Sequence, residues 1–86
     1  MDEAKVKAKL SKLVSQEVLA DEVRIKLIMA LAVEDMYCAE INIKFPNASK
    51  HLEILEEEGI ITKEKKGIFT FYSLVKPEIA NILSEL

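Results

Sequence analysis

Apolar positions along the chain switch between a helical and an extended rhythm, and the switches mark its elements. From Glu3 to about Leu19, Val6, Leu10, Leu13, Val14 and Val18 recur at intervals of three and four, one face of an amphipathic helix. Asp21 is a natural N-cap. Behind it "EVRIKLIMALAV" is apolar on nearly every side, through Val23, Ile25, Leu27, Ile28, Met29 and Leu31, which predicts a buried central helix. "VEDMYCAEIN" offers Glu34 or Asp35 near a third helix start, with Met36, Ala39 and Ile41 as its apolar positions. Pro46 then removes an amide donor and biases Phe45 out of the α region, so a fourth helix begins at Pro46 or Asn47. In it Ala48, Leu52 and Leu55 share a core-facing side, while Ser49, Lys50 and Glu53 look outward. Gly59 closes it after "EEE", because glycine accepts positive φ.

Beyond Gly59, "IITKEK" and "IFTFYSL" are rich in β-branched and aromatic residues, with Lys66-Gly67 as the turn of a hairpin. Pro77 suits the first position of a last helix, where Ile79, Ile82, Leu83 and Leu86 form a stripe. The sequence carries no internal repeat, low-complexity tract or linker, so residues 1–86 are read as one domain. The order is four helices, a hairpin and a helix. It predicts a mostly α (α+β) fold, a winged helix-turn-helix with a two-stranded β-hairpin wing.

A chain of 86 residues builds a single small core, and burial against a second copy would add to it. The stripe Ile79, Ile82, Leu83 and Leu86, with Val6, Leu10 and Leu13 of the first helix, is therefore the expected homodimer interface. The longest apolar run, "LIMALAV", is seven residues, far short of a membrane span, and no signal peptide is visible at the start. A single cysteine, Cys38, rules out an intramolecular disulfide, and the expected location is the cytoplasm.

Net charge is −3, which argues against nucleic-acid binding by bulk charge. The distribution changes that picture, because residues 41–76 hold six Lys against five Glu and the rest of the chain is net −4. A helix that enters a DNA major groove carries small polar and basic side chains at its N-terminal end, and "NASKH" has that chemistry. Asn47 suits adenine, Lys50 guanine or phosphate, and Ser49 and His51 phosphate or a base edge. Lys44 precedes them, and Lys63, Lys65 and Lys66 in the hairpin are placed to meet the flanking backbone. Double-stranded DNA is the expected partner of these eight residues.

"RIKLIMALAVEDMYCAEI" followed by "NASKHLEILEEEGIITKEKKGIFTFYSL" resembles the ArsR/SmtB family of dimeric winged-helix transcriptional repressors. "SKHLEILEEEGII" is its most specific part, and "GIFTFYSL" is similar to the family's second wing strand. The resemblance implies a homodimer joined through the first and last helices. It also implies an inverted-repeat operator, with Ser49, Lys50 and His51 in the recognition helix. The segment from Ile41 to Ser49 is shorter than the family pattern by roughly one helical turn. Where metal-sensing members carry a Cys-x-Cys site, this chain has Tyr37 and Ala39 around Cys38.

With one Cys and one His, the chain falls short of the four ligands a structural zinc normally takes, so no metal and no cofactor is expected. No phosphate loop or nucleophile motif is present, and Glu56, Glu57 and Glu58 read as a solvated helix face, so no enzyme is expected either. A winged helix serving protein interaction with DNA binding lost is the alternative, favoured by the acidic balance and the single Arg24. A Cys38-based sensor ranks behind both.

Overall fold

The structure is a computed structural model of the protein that describes residues 3–85. The predicted first helix is two: α1 spans Glu3–Leu10 and α2 spans Gln16–Leu19. Serine chemistry explains the break. The Ser11 hydroxyl donates to the Ala8 carbonyl at 2.7 Å, and Ser15, extended at φ −71° and ψ 162°, caps α2 by accepting from the Val18 amide. The bend lets Val18 and Leu19 enter the core beside Val6 and Leu10. Helix α3, Glu22–Val33, starts where expected, with the Asp21 carboxylate accepting from the Val23 amide at 2.8 Å. It is the central helix, packed against α1 and α2.

Met36 was expected in the third helix, but it lies in a short strand, β1, Met36–Tyr37. Helix α4, Cys38–Lys44, begins only after it, with the Glu40 carboxylate accepting from the Tyr37 amide at 3.1 Å. Pairing of Met36 with Tyr72 across the sheet buries Met36 and overrides the helical pattern. The fourth helix also starts later than predicted. Asn47 takes φ 65°, a left-handed conformation that asparagine tolerates, so Pro46 and Asn47 belong to the turn. Helix α5 is Ser49–Glu57, led by the buried Ala48.

The end of α5 follows from Gly59 at φ 73°. Its amide donates to the Glu56 carbonyl and that of Ile60 donates to the Leu55 carbonyl, both at 3.0 Å, the Schellman pattern that pairs otherwise orphaned carbonyls. Leu55 and Ile60 are both buried there. The hairpin is β2, Ile61–Lys66, and β3, Phe69–Leu74, joined by Gly67 and Ile68. Gly67, at φ 60°, supplies the first position of a two-residue turn, the type II′ requirement. With β1 the hairpin makes an antiparallel sheet of three strands in the order β1-β3-β2, one short strand more than predicted.

Helix α6, Pro77–Ser84, folds back on α1 and α3. This corrects the interface expectation. Val6, Leu10, Ile79 and Leu83 are at most 3% exposed within a single chain, so they fill the protomer's own core. Leu13 and Ile82 are half-buried, and Leu86 lies outside the described residues. Periodicity identified the apolar faces but could not say that α1 and α6 cover each other. No helix of the described residues is long and apolar enough to cross a membrane.

At Gly59 an added Cβ meets no heavy atom within 4 Å, so only backbone strain opposes a side chain there. Gly59→Ala should cost about 1 kcal/mol, and Gly59→Asn clearly less, in urea unfolding curves with unchanged slope.

Candidate nucleic-acid interface

Helix α5 is held to the core by its apolar side and by one buried cation. Arg24, on α3 and 8% exposed, spreads its guanidinium over three acceptors. Nε donates to the Val18 carbonyl at 3.1 Å, Nη2 to the Glu17 carbonyl at 2.8 Å, and Nη1 to His51 Nδ1 at 3.1 Å. The two carbonyls belong to α2, whose C-terminal end attracts positive charge. Arginine has no acceptor atom, so Nδ1 of His51 must accept and the ring proton sits on Nε2. Nε2 faces the Asp21 carboxylate at 3.9 Å. His51 is therefore turned inward and half-buried, unlike the exposed Ser49 and Lys50 beside it. The sequence signal for this anchor was present: Arg24 stands between Val23 and Ile25 in a largely apolar helix, and an Arg buried there must find acceptors.

The other expected residues are all exposed. Ser49 and Lys50 open α5, Asn47 stands in the turn before it, and Lys44 ends α4. On the wing, strand alternation divides the lysines. Lys63 pairs with Tyr72 in register and shares a groove with Ser49, so Lys63 and Lys65 occupy the sheet face turned toward α5. Lys66 lies on the opposite face, its ammonium 5.1 Å from the centre of the Phe71 ring. Tyr37 packs on that face too, 5.6 Å from Phe69 and 6.2 Å from Phe71 between ring centres. The structure thus brings Ser49 and Lys63 to one groove, with Lys65 on the same strand face, leaves Lys50 exposed beside Ser49, and turns His51 inward and Lys66 to the opposite sheet face.

Between α5 and the wing runs a groove of about 340 Å³. Glu53 and Glu56 of α5 form one wall, Lys63 and Tyr72 another, and Cys38 and Asn42 of α4 the end. Burial first, then the charges of Cys38, Glu56 and Glu53, hold the Tyr72 phenol above its ordinary pKa. Cys38 is half-buried, with Asn42 Nδ2 donating to its sulfur at 3.8 Å. The residues at the metal-sensing position do not fit a metal: Tyr37 and Ala39 flank that one thiol. No group of three or more His, Cys, Asp or Glu gathers as a metal cage among the described residues.

A helix-turn-helix whose second helix shows a polar, basic start beside a lysine-bearing hairpin defines the winged-helix class of DNA-binding regulators. No family model matches the chain. Curated relatives do. The chain is 35% identical over 72 residues to the arsenical resistance operon repressor of Bacillus subtilis, covering 78% of this chain and 69% of that protein. It is 37% identical over 60 residues to the transcriptional repressor SdpR of the same organism, covering 65% and 67%. In fold it is similar to HlyU from Vibrio cholerae, with a TM-score of 0.72 at 21% identity over 99% of this chain and 92% of that one. The chain belongs to the ArsR/SmtB family of winged-helix transcriptional repressors.

Replacing Arg24 takes a donor from the Val18 carbonyl, the His51 ring nitrogen and the Glu17 carbonyl, of which the last still accepts from the Ala20 amide at 3.3 Å. Arg24→Lys keeps three donors but on one nitrogen, which cannot reach acceptors that Nε, Nη1 and Nη2 meet from separate positions. A loss of about 1–3 kcal/mol of unfolding free energy is expected for it, read from urea denaturation, and His51→Ala should cost less because both carbonyls keep their partners.

Proposed function

We propose that the protein binds double-stranded operator DNA as a homodimer and works by binding rather than catalysis, in the cytoplasm. The observation that carries this reading is the shared exposure of the α5 start and of Lys63 and Lys65 on one side of the molecule. Ser49 and Lys50 reach base edges in the major groove, while Lys44 and the wing lysines meet phosphates and fix register. Asn47, just ahead of α5, contacts the strand where the helix enters. Membership of a repressor family supports the same assignment.

A second copy would set two α5 helices about 34 Å apart, one turn of duplex, and so select an inverted repeat. With Val6, Leu10, Ile79 and Leu83 committed to the core, the dimer surface is proposed to lie along α3 and α6. There Met29, Ala32, Val33 and Ala80 line an apolar groove of about 180 Å³. Val33 is 80% exposed at its rim, and the half-buried Ile82 follows on α6.

Filter binding against genomic fragments at several salt concentrations tests the DNA reading. A preferred fragment and a steep salt dependence are expected, and Lys63→Ala or Lys65→Ala should flatten the log–log slope by about 0.9 each. Lys66→Ala should leave it unchanged. Affinity indifferent to salt and sequence overturns the reading. For the dimer, Val33→Glu should shift sedimentation from dimer to monomer without loss of helical signal, and an unchanged dimer removes this surface from the interface.

A further inference from the structure

We propose that the groove between α5 and the wing is a binding site for a small zwitterionic amine. Its ammonium is held by Glu53, Glu56 and the Tyr72 hydroxyl, and its oxygen acceptor by Lys63. Three observations carry this. The groove, at about 340 Å³, falls in the size range of small-molecule sites, about 300–1,000 Å³. Its walls carry opposite charges, two carboxylates on α5 and one ammonium on β2, so a ligand with both signs is complemented at each end. The third is Tyr72, which is 6% exposed, yet its hydroxyl has no hydrogen-bond partner among the described residues. That oxygen is not sealed off in the core, so it opens on the groove that Tyr72 lines.

The neutral phenol suits the task. It accepts from an ammonium or donates to a carboxylate; burial first, then its charged neighbours, disfavours phenolate, and of those neighbours Glu53 and Glu56 are the ones an ammonium would satisfy. A DNA phosphate fits the groove less well, because Glu53 and Glu56 repel it. The regulatory consequence rests on the DNA reading above. Ser49 lines the groove and also opens α5, so an occupant there competes with DNA at that residue.

The test is calorimetric titration of the full chain, without DNA, with 4-aminobutanoate, lysine and serine, using butylammonium and butanoate as single-charge controls. At least one zwitterion should bind saturably, and at least tenfold more tightly than either control. Glu56→Gln, Lys63→Met and Tyr72→Phe, each checked for an unchanged melting curve, should weaken it at least tenfold. No saturable zwitterion binding, equal binding of the controls, or affinity indifferent to Glu56→Gln and Tyr72→Phe overturns the proposal. So does weakened DNA binding by Tyr72→Phe with no zwitterion isotherm, which assigns the groove to the DNA backbone. Because the isotherm is recorded on protein alone, a failure of the DNA reading leaves it legible.

Discussion

A buried guanidinium fixes the geometry on which the rest of this molecule depends. Arg24 leaves water only because three acceptors wait for it, two carbonyls at the end of α2 and the imidazole of His51 on α5. Burying a cation without such partners is prohibitive, and removing the guanidinium takes a donor from all three acceptors at once. The arrangement therefore admits one relative placement of α2, α3 and α5. Hydrophobic contact between Leu52, Leu55 and the core is strong but non-directional. The directional bonds at Arg24 set how far α5 is rotated about its axis, and hence that Ser49 and Lys50 face solvent while His51 does not.

Charge on α5 runs against its own stability. Helix termini favour acid at the start and base at the end, yet the first turn of α5 has no acidic residue and carries Lys50, and its end carries Glu56 and Glu57. Each misplaced charge costs about 0.3–1 kcal/mol in an exposed helix. The Schellman closure at Gly59 and the burial of Leu55 against Ile60 offset part of that cost. An arrangement unfavourable in isolation becomes favourable when a polyanion approaches the start of the helix, where free amides and Lys50 both point at it. The acidic end then disfavours the reversed orientation. The overall charge of −3 is compatible with this because ten of the fifteen acidic residues lie outside residues 41–76, which are net +1.

What the sequence made legible was local chemistry. The caps at Asp21 and Gly59, the first position at Pro77 and the turn at Gly67 all lie where residue type demanded them. The features that escaped are those that depend on distant partners. Met36 is extended because Tyr72 lies opposite it, and His51 turns inward because Arg24 is there. No window of ten or fifteen residues contains either pair. The break after Leu10 was closer to hand, since Ser11 and Ser15 both compete with helical hydrogen bonding, but the run of apolar spacing outweighed them. Likewise the stripes on α1 and α6 were legible as apolar faces but were expected to form a dimer interface, because nothing in periodicity distinguishes a partner helix in the same chain from one in another.

The wing shows how the last of these constraints reaches function. Its two faces differ because neighbouring side chains alternate, so a single residue of register decides which lysines stand beside α5. That register is fixed at one end by Gly67, and at the other by the Val75 amide donating to the Ile60 carbonyl at 2.9 Å, continuing the ladder past Ile61 and Leu74. Tyr37, Phe69 and Phe71 stack on the far face and Lys66 lies over them, a cluster that rigidifies the hairpin without adding charge to the side of α5. A slip by one residue would exchange Lys63 and Lys65 for Glu64 and Lys66, replacing two cations with a neutral pair. The wing's usefulness beside α5 is thus a matter of strand pairing before it is a matter of composition.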